Sequence, residues 1–325
     1  MNEFYEMKPG ETAENVRRYN GESVLLTDLG TERCFGAGEP LEIRFLASLF
    51  GGEDVKNGVL EVELKTSDGR CLERRSFAVS AKNGGVRDLA CLETSVPTVE
   101  RPIRVRVCAR LWQDNYDLEN QWEIWVFPQA SAELGSVVCT RELNDRLLGE
   151  LEQGTDVLLL GCGPFAANPM SFRISLAGRN SGNLATVIED HPLTRTFEHD
   201  GFCSWQFADL MNGSECLYYP PAAQVPFAPI IDVASSYKWV RRQAALAEFR
   251  VGEGRVLIST FRVGENAASC WWLWNLLQYM NGDDFCPRDS VTISQLRTLF
   301  ADGTSAAGEA NHNVAGNVND KTMKG

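Results

Sequence analysis

The chain has 325 residues, 44% of them hydrophobic and 23% charged, and a formal net charge of −13. That length suits roughly two domains, each able to bury a core of its own. The acidic balance argues against a nucleic-acid partner, which needs clustered Lys and Arg to meet phosphates. No apolar run approaches the roughly 18 residues of a membrane span, and the segment from Met1 to Arg18 holds no apolar leader, so neither membrane nor secretory targeting is expected. The ten cysteines are scattered, with no CxxC pair, so zinc-ribbon spacing is absent. They are read as mostly buried free thiols in a reducing cytoplasm, with a disulfide pair as the alternative.

Residues 1–22 are polar, with one or two helical turns over Ala13–Arg18, and are expected to form an arm. From residue 23 to 128 the pattern alternates. Leu41, Ile43, Phe45, Ala47 and Leu49 share one face, as do Leu60, Val62 and Leu64, and again Ile103, Val105, Val107, Ala109 and Leu111. A period of two marks strands with one buried face. Ser67-Asp68-Gly69 reads as a hairpin turn, and glycine pairs punctuate other strands, which predicts an all-β immunoglobulin-like sandwich.

Residues 129–300 change character. Leu143, Leu147, Leu148 and Leu151 lie at helical spacing before Gly154, and Asp156–Gly161 is a short apolar run that reads as a buried parallel strand. Leu184–Ile188, Leu217–Tyr219, Leu246–Val251 and Arg255–Phe261 are further strands, the last two joined through Gly252-Glu253-Gly254. Ala267–Met280 is a helix carrying Trp271, Trp272 and Trp274. This alternation predicts an α/β domain with a parallel-rich sheet and flanking helices. Residues 301–325 lack aromatic residues and are expected to be a disordered tail.

Several stretches resemble the C-terminal region of glycoside hydrolase family 2 chains, the β-galactosidase and β-glucuronidase relatives. Asn120-Gln121-Trp122-Glu123-Ile124-Trp125-Val126-Phe127-Pro128 is similar to the end of their linker sandwich. His191-Pro192, followed by Phe197 and by Ser204-Trp205-Gln206-Phe207, is similar to a later signature, although Ser204 and Phe207 depart from its Asp-Trp-Gln-Trp form. The Leu246–Phe261 hairpin and the Trp-rich helix follow in the same order. Phe4-Tyr5-Glu6-Met7-Lys8 and Ser23-Val24-Leu25-Leu26 resemble the exit from the catalytic barrel, which implies that the chain begins where such a barrel ends. The resemblance implies that the α/β domain is similar to class I glutamine amidotransferases, of flavodoxin-like type.

The candidates for chemistry weigh against activity. Gly161-Cys162-Gly163-Pro164-Phe165-Ala166 fits G-x-G-x-x-A, but Pro164 and Asn168-Pro169 oppose the helix that a dinucleotide site requires. Cys162 has no glycine two residues on and no His-x-Glu elsewhere, so no glutaminase is expected. Glu198, His199 and Asp200, with Asp190 and His191, could form a metal or acid–base cluster, but a solvated turn is the favoured reading. Glycoside hydrolysis needs two carboxylates that family 2 chains carry on a barrel, and no barrel is present in residues 23–300. Trp122 and Trp125 read as core and domain-junction packing, with a sugar-stacking platform as the alternative.

The expectation is a non-catalytic accessory region with no cofactor and no metal, whose partners are a carbohydrate, a glycoside hydrolase catalytic domain or a second copy of the chain. Its candidate carbohydrate-binding residues are Trp112, Trp205 and Trp239, with Gln206 and Asp209 as polar partners. The competing functions are a stand-alone interaction scaffold, and an enzyme using the α/β domain.

Overall fold

The computed structural model describes residues 11–113, 116–131, 133–170, 172, 183–235 and 240–301. The tail beyond Ala301 and the Phe4–Lys8 motif therefore lie outside the described residues.

Helix α1 (Ala13–Asn20) opens at Thr12, whose side chain accepts the N–H of Asn15. Strands β1 (Ser23–Thr27), β2 (Cys34–Gly36), β3 (Pro40–Leu49), β4 (Val55–Thr66), β5 (Cys71–Ala81), β6 (Gly85–Ser95), β7 (Ile103–Gln113) and β8 (Tyr116–Phe127) follow. They form two facing sheets, ordered β1-β3-β6 and β2-β8-β7-β4-β5, with β2 running parallel to β8. This is the two-sheet sandwich that the alternation predicts, with a strand order of immunoglobulin type. Leu41, Ile43, Phe45, Ala47 and Leu49 of one sheet meet Leu60, Val62, Leu64, Val105, Val107 and Leu111 of the other, all buried.

Strand β8 breaks the alternation at its end. Ile124 and Val126 face the sandwich core, while Trp125 and Phe127 are equally buried on the opposite side. A strand that is apolar on both faces must be covered on both.

The cover is the second half of the chain. It contains β9 (Val138–Thr140), α2 (Asp145–Glu152), β10 (Asp156–Leu160), β11 (Ala167–Pro169), β12 (Asn183–Ile188), α3 (Pro192–Arg195), α4 (Ala208–Met211), β13 (Glu215–Tyr219), β14 (Ile231–Ser235), β15 (Arg242–Val251), β16 (Gly254–Ser259), α5 (Ala267–Asn281), β17 (Ser290–Val291) and α6 (Ile293–Arg297). Its strands make one nine-stranded sheet. β10 runs parallel to β9 and β16, but β15 is antiparallel to β16, β13 and β14, and β12 and β11 are antiparallel too. The sheet is mixed, not parallel-rich as expected. The reason is local. Gly252-Glu253-Gly254 is a tight turn and can only return the chain antiparallel, and β14, unread in the sequence, pairs backwards onto β15.

Helices α2 and α6 cover one face of this sheet, with Leu147, Leu148, Leu151 and Leu296 packed on Val157, Leu159, Val256 and Ile258. Asn144 caps α2 by accepting the N–H of Leu147, so Leu143 lies just before the helix rather than in it. On the other face α5 lies over Leu158, Leu246 and Leu257 and reaches β2 and β8 of the sandwich. Because α5 is covered by the sheet and by the sandwich, it is apolar nearly all round.

The β15–β16 turn docks against the end of α2. Gly252 has φ +61, and a Cβ on Gly254 would sit 2.1 Å from the Leu151 carbonyl oxygen and 2.4 Å from that of Thr155. Both contacts are backbone and cannot yield by a rotamer change. Gly254→Ala is therefore expected to lower stability by about 1–3 kcal/mol, measured as a shift in the urea unfolding midpoint.

Candidate functional site

The His191–Phe207 stretch lies between the two halves. His191 caps α3, its Nδ1 accepting the N–H of Leu193 at 3.4 Å, so His191-Pro192 opens a short helical turn. His191 Nε2 lies 3.5 Å from Glu248 and 3.4 Å from the Tyr279 hydroxyl, which donates to Glu248 at 2.8 Å. Burial first, then Glu248, pushes the Tyr279 phenol up. Asn275 of α5 donates to the Leu193 carbonyl at 2.8 Å and accepts from the Thr196 hydroxyl. Two points on α5 thus fix the start of the stretch.

Phe197 then enters an aromatic cluster. Its ring centroid lies 5.4 Å from Phe127, 4.7 Å from Phe207 and 5.3 Å from Trp272, and Phe261 lies 5.5 Å from Phe207. The Trp272 indole N–H donates to the buried Ser259 hydroxyl at 3.0 Å. Such aromatic pairs contribute about 0.5–1.5 kcal/mol each beyond the area they bury.

A polar clasp borders this cluster. Arg104 of β7 is paired across strands with Trp125, and its guanidinium lies 6.0 Å from that ring. It donates two bonds of 2.9 Å to Asp200, and it faces Glu198 at 3.2 Å and Glu123 at 3.4 Å. Its backbone N–H donates to Glu198 at 2.9 Å, and Ser67 donates to the same carboxylate. The bonds to Asp200, above all, raise the Arg104 pKa further. The segment is a surface turn, with Asp200 exposed and Glu198 half-buried, but both carboxylates are paired with Arg104 rather than left to solvent. The buried Trp125 beside Arg104 brings the segment down onto the sandwich, where a paired guanidinium is available.

The expected carbohydrate residues divide. Gln206 is buried, not a surface group, and its amide donates to the Glu198 carbonyl at 2.7 Å. Trp205 is half-buried: Arg33 lies 4.9 Å from its centroid and Phe172 5.0 Å. It is thus a docking side chain with partners on its ring rather than an open platform. Asp209 of α4 lies near Cys34 of β2, whose thiol is pushed up by burial first and by that carboxylate second. Cys34 also donates to the Gln206 carbonyl at 3.7 Å. These three candidates share the junction. Trp112 does not, because it lies eight residues along β7 from Arg104, roughly 27 Å away. It is the exposed tryptophan among the described residues. Trp239 lies outside the described residues.

After Gly163 the chain turns into β11 and opens no helix, which leaves a dinucleotide without an anchoring helix N-terminus. Cys162 is buried on one face of the nine-stranded sheet, its thiol pushed up by burial, while His191 meets α5 on the other. Among the described residues no group of three or more His, Cys, Asp and Glu is placed to hold a metal, and no helix is long and apolar enough to cross a membrane. All ten cysteines are unpaired, but only Cys162 and Cys216 are buried, and Cys71 and Cys286 are exposed, so the thiols are not mostly buried as expected. Sequence reasoning passed over Arg104, Arg33 and Cys34. Their signal is indirect: outward Trp125 and Phe127 mark that end of the sheet as covered.

The chain belongs to the family described as "Domain of unknown function (DUF8487)", whose model matches residues 138–301. Residues 39–128 match a second model, "Domain of unknown function (DUF8488)". No curated protein matches. Among solved structures the chain is similar to a glycosyl hydrolase family 2 member from Bacteroides cellulosilyticus, at 14% identity and a TM-score of 0.25, over 43% of this chain and 23% of that one. It is similar to Parabacteroides merdae β-glucuronidase at 10% identity and a TM-score of 0.23, over 42% and 20%. The CARDB domain of a Pyrococcus furiosus protein, in complex with di-metal ions, matches at 15% identity and a TM-score of 0.24, over 32% and 84%. The chain spans less than a quarter of the length of these two hydrolases.

Arg104→Met leaves Glu123, Glu198 and Asp200 without their shared cation. We expect a loss of about 1–3 kcal/mol, between the values of exposed and buried pairs. A double-mutant cycle with Asp200→Asn, read by urea unfolding, is expected to show coupling of about 0.5 kcal/mol or more.

Proposed function

We propose that this chain is a non-catalytic accessory region related to family 2 glycoside hydrolases, and that it supports carbohydrate binding by such an enzyme or the enzyme's assembly. One observation carries this reading. Four of the stretches that resemble family 2 C-terminal regions supply the residues of one junction: Phe127 from Asn120–Pro128, Phe197 and Phe207 from the His191 stretch, Phe261 from the β15–β16 hairpin, and Trp272 from α5. Resemblance at separate places in a chain is more telling when those places meet in space. We take the nine-stranded half as a divergent relative of the class I glutamine amidotransferase fold, supported by the parallel β9-β10-β16 core and its covering helices. Cys162 is separated by the sheet from His191, the imidazole that could have served as its base.

Carbohydrate contact, in this reading, falls to Trp112. Its exposed indole lies on the outer face of the β2-β8-β7-β4-β5 sheet, cross-strand from Asp117. An aromatic face suits the C–H groups of a pyranose, while the Asp117 carboxylate beside it is held by Arg110 at 2.7 and 2.8 Å. Trp205 could serve only after Arg33 leaves its ring.

The test has two arms. Purified chain is expected to release no nitrophenol from p-nitrophenyl β-galactoside or β-glucuronide and no ammonia from glutamine. Tagged chain isolated from its source cells is expected to bring down a glycoside hydrolase identified by mass spectrometry, or to carry one as part of a longer polypeptide. Turnover by the purified chain that a point substitution abolishes would overturn the non-catalytic assignment. Recovery of the 36.1 kDa chain alone, with no binding to an oligosaccharide panel that Trp112→Ala removes, would overturn the accessory one.

A further inference from the structure

The clasp at the junction contains a titratable group in a position of its own. Glu198, His199 and Asp200 are consecutive, and the two acids hold Arg104 from either side. Between them, His199 Nδ1 accepts the backbone N–H of Gly201 at 2.9 Å. That bond closes the turn that presents Asp200 to the guanidinium. An imidazole accepts at Nδ1 only when it is neutral, with its proton on Nε2. We propose that His199 makes this clasp acid-sensitive: protonation of the ring removes the Gly201 bond, places a second cation beside Arg104, and loosens residues 198–201 from the sandwich.

The groups facing His199 divide in their effect. Its half-burial, foremost, and Arg104 disfavour the cation, while Asp200 and Asp190 favour it, and the balance leaves the pKa below the ordinary imidazole value. Asp190 is itself occupied by Arg195, which donates to it at 2.6 and 2.9 Å. The closed clasp therefore binds fewer protons than the open one. Its stability is fully present above pH 6.5, the value of a free imidazole, and is lost progressively as pH falls below it. The apolar cluster has no titratable member, so the change is confined to the polar border.

Hydrogen exchange of the full chain, followed by mass spectrometry and corrected for intrinsic exchange rates, tests this. The reporting amides are Arg104, which donates to Glu198, and Gly201, which donates to His199. Between pH 7.5 and 5.5 their protection is expected to fall by up to about tenfold, the limit set when only the open form takes the proton. In His199→Asn the side-chain oxygen can accept the same N–H in an Asx turn and does not titrate, so its protection is expected to be flat over that range. The slope with pH is the readout, so a uniform loss of stability in the variant leaves the comparison intact. Unchanged protection in the wild type, or an equal fall in His199→Asn, would overturn the proposal.

Discussion

Phe127 closes the sandwich and at the same time opens the second core. Its ring leaves the edge of β8 and meets Phe197, which meets Phe207 and Trp272. The two halves of the chain are therefore held by direct contact of buried aromatic side chains, with α5 lying against both. Losing one such ring costs about 3–5 kcal/mol, a large part of the stability of an ordinary domain. Sequence features that look unrelated follow from this contact: the apolar circumference of α5, the doubly apolar end of β8, and the aromatic spacing after His191-Pro192.

The polar groups arrange themselves around it. A guanidinium beside an indole, held by two carboxylates, borders the apolar cluster. Gln206 and Asn275, both buried, use their side-chain amides to hold carbonyls of the same stretch. Buried polar groups of this kind add directional constraint that packing alone lacks.

The sandwich was readable because its strands keep one face dry, so a period of two survives in Leu41–Leu49 and Val105–Leu111. The nine-stranded sheet was readable as a set of strands but not as a topology. Leu158 and Leu257 are covered on one face and Val157 and Val256 on the other, so the strands carry no face marking that would give direction or neighbour. Strand β14, only five residues long and starting two residues after Pro229, has too little length to announce itself. Among candidate site residues, Trp205 and Gln206 were read as exposed, but the first is half-buried and the second buried. Aromatic composition does not distinguish a ring that faces sugar from one that faces Arg33. The pairing of Glu198 and Asp200 was not legible because Arg104 lies 94 and 96 residues away in sequence.

Scanning calorimetry of the full chain measures most directly whether the aromatic junction makes one unit of two halves. Fusion through Phe127 predicts a single transition whose calorimetric and van't Hoff enthalpies agree. Two resolved transitions, each unaffected by Phe127→Ala, would mean that the sandwich and the nine-stranded sheet unfold independently, and would contradict the role assigned to that contact.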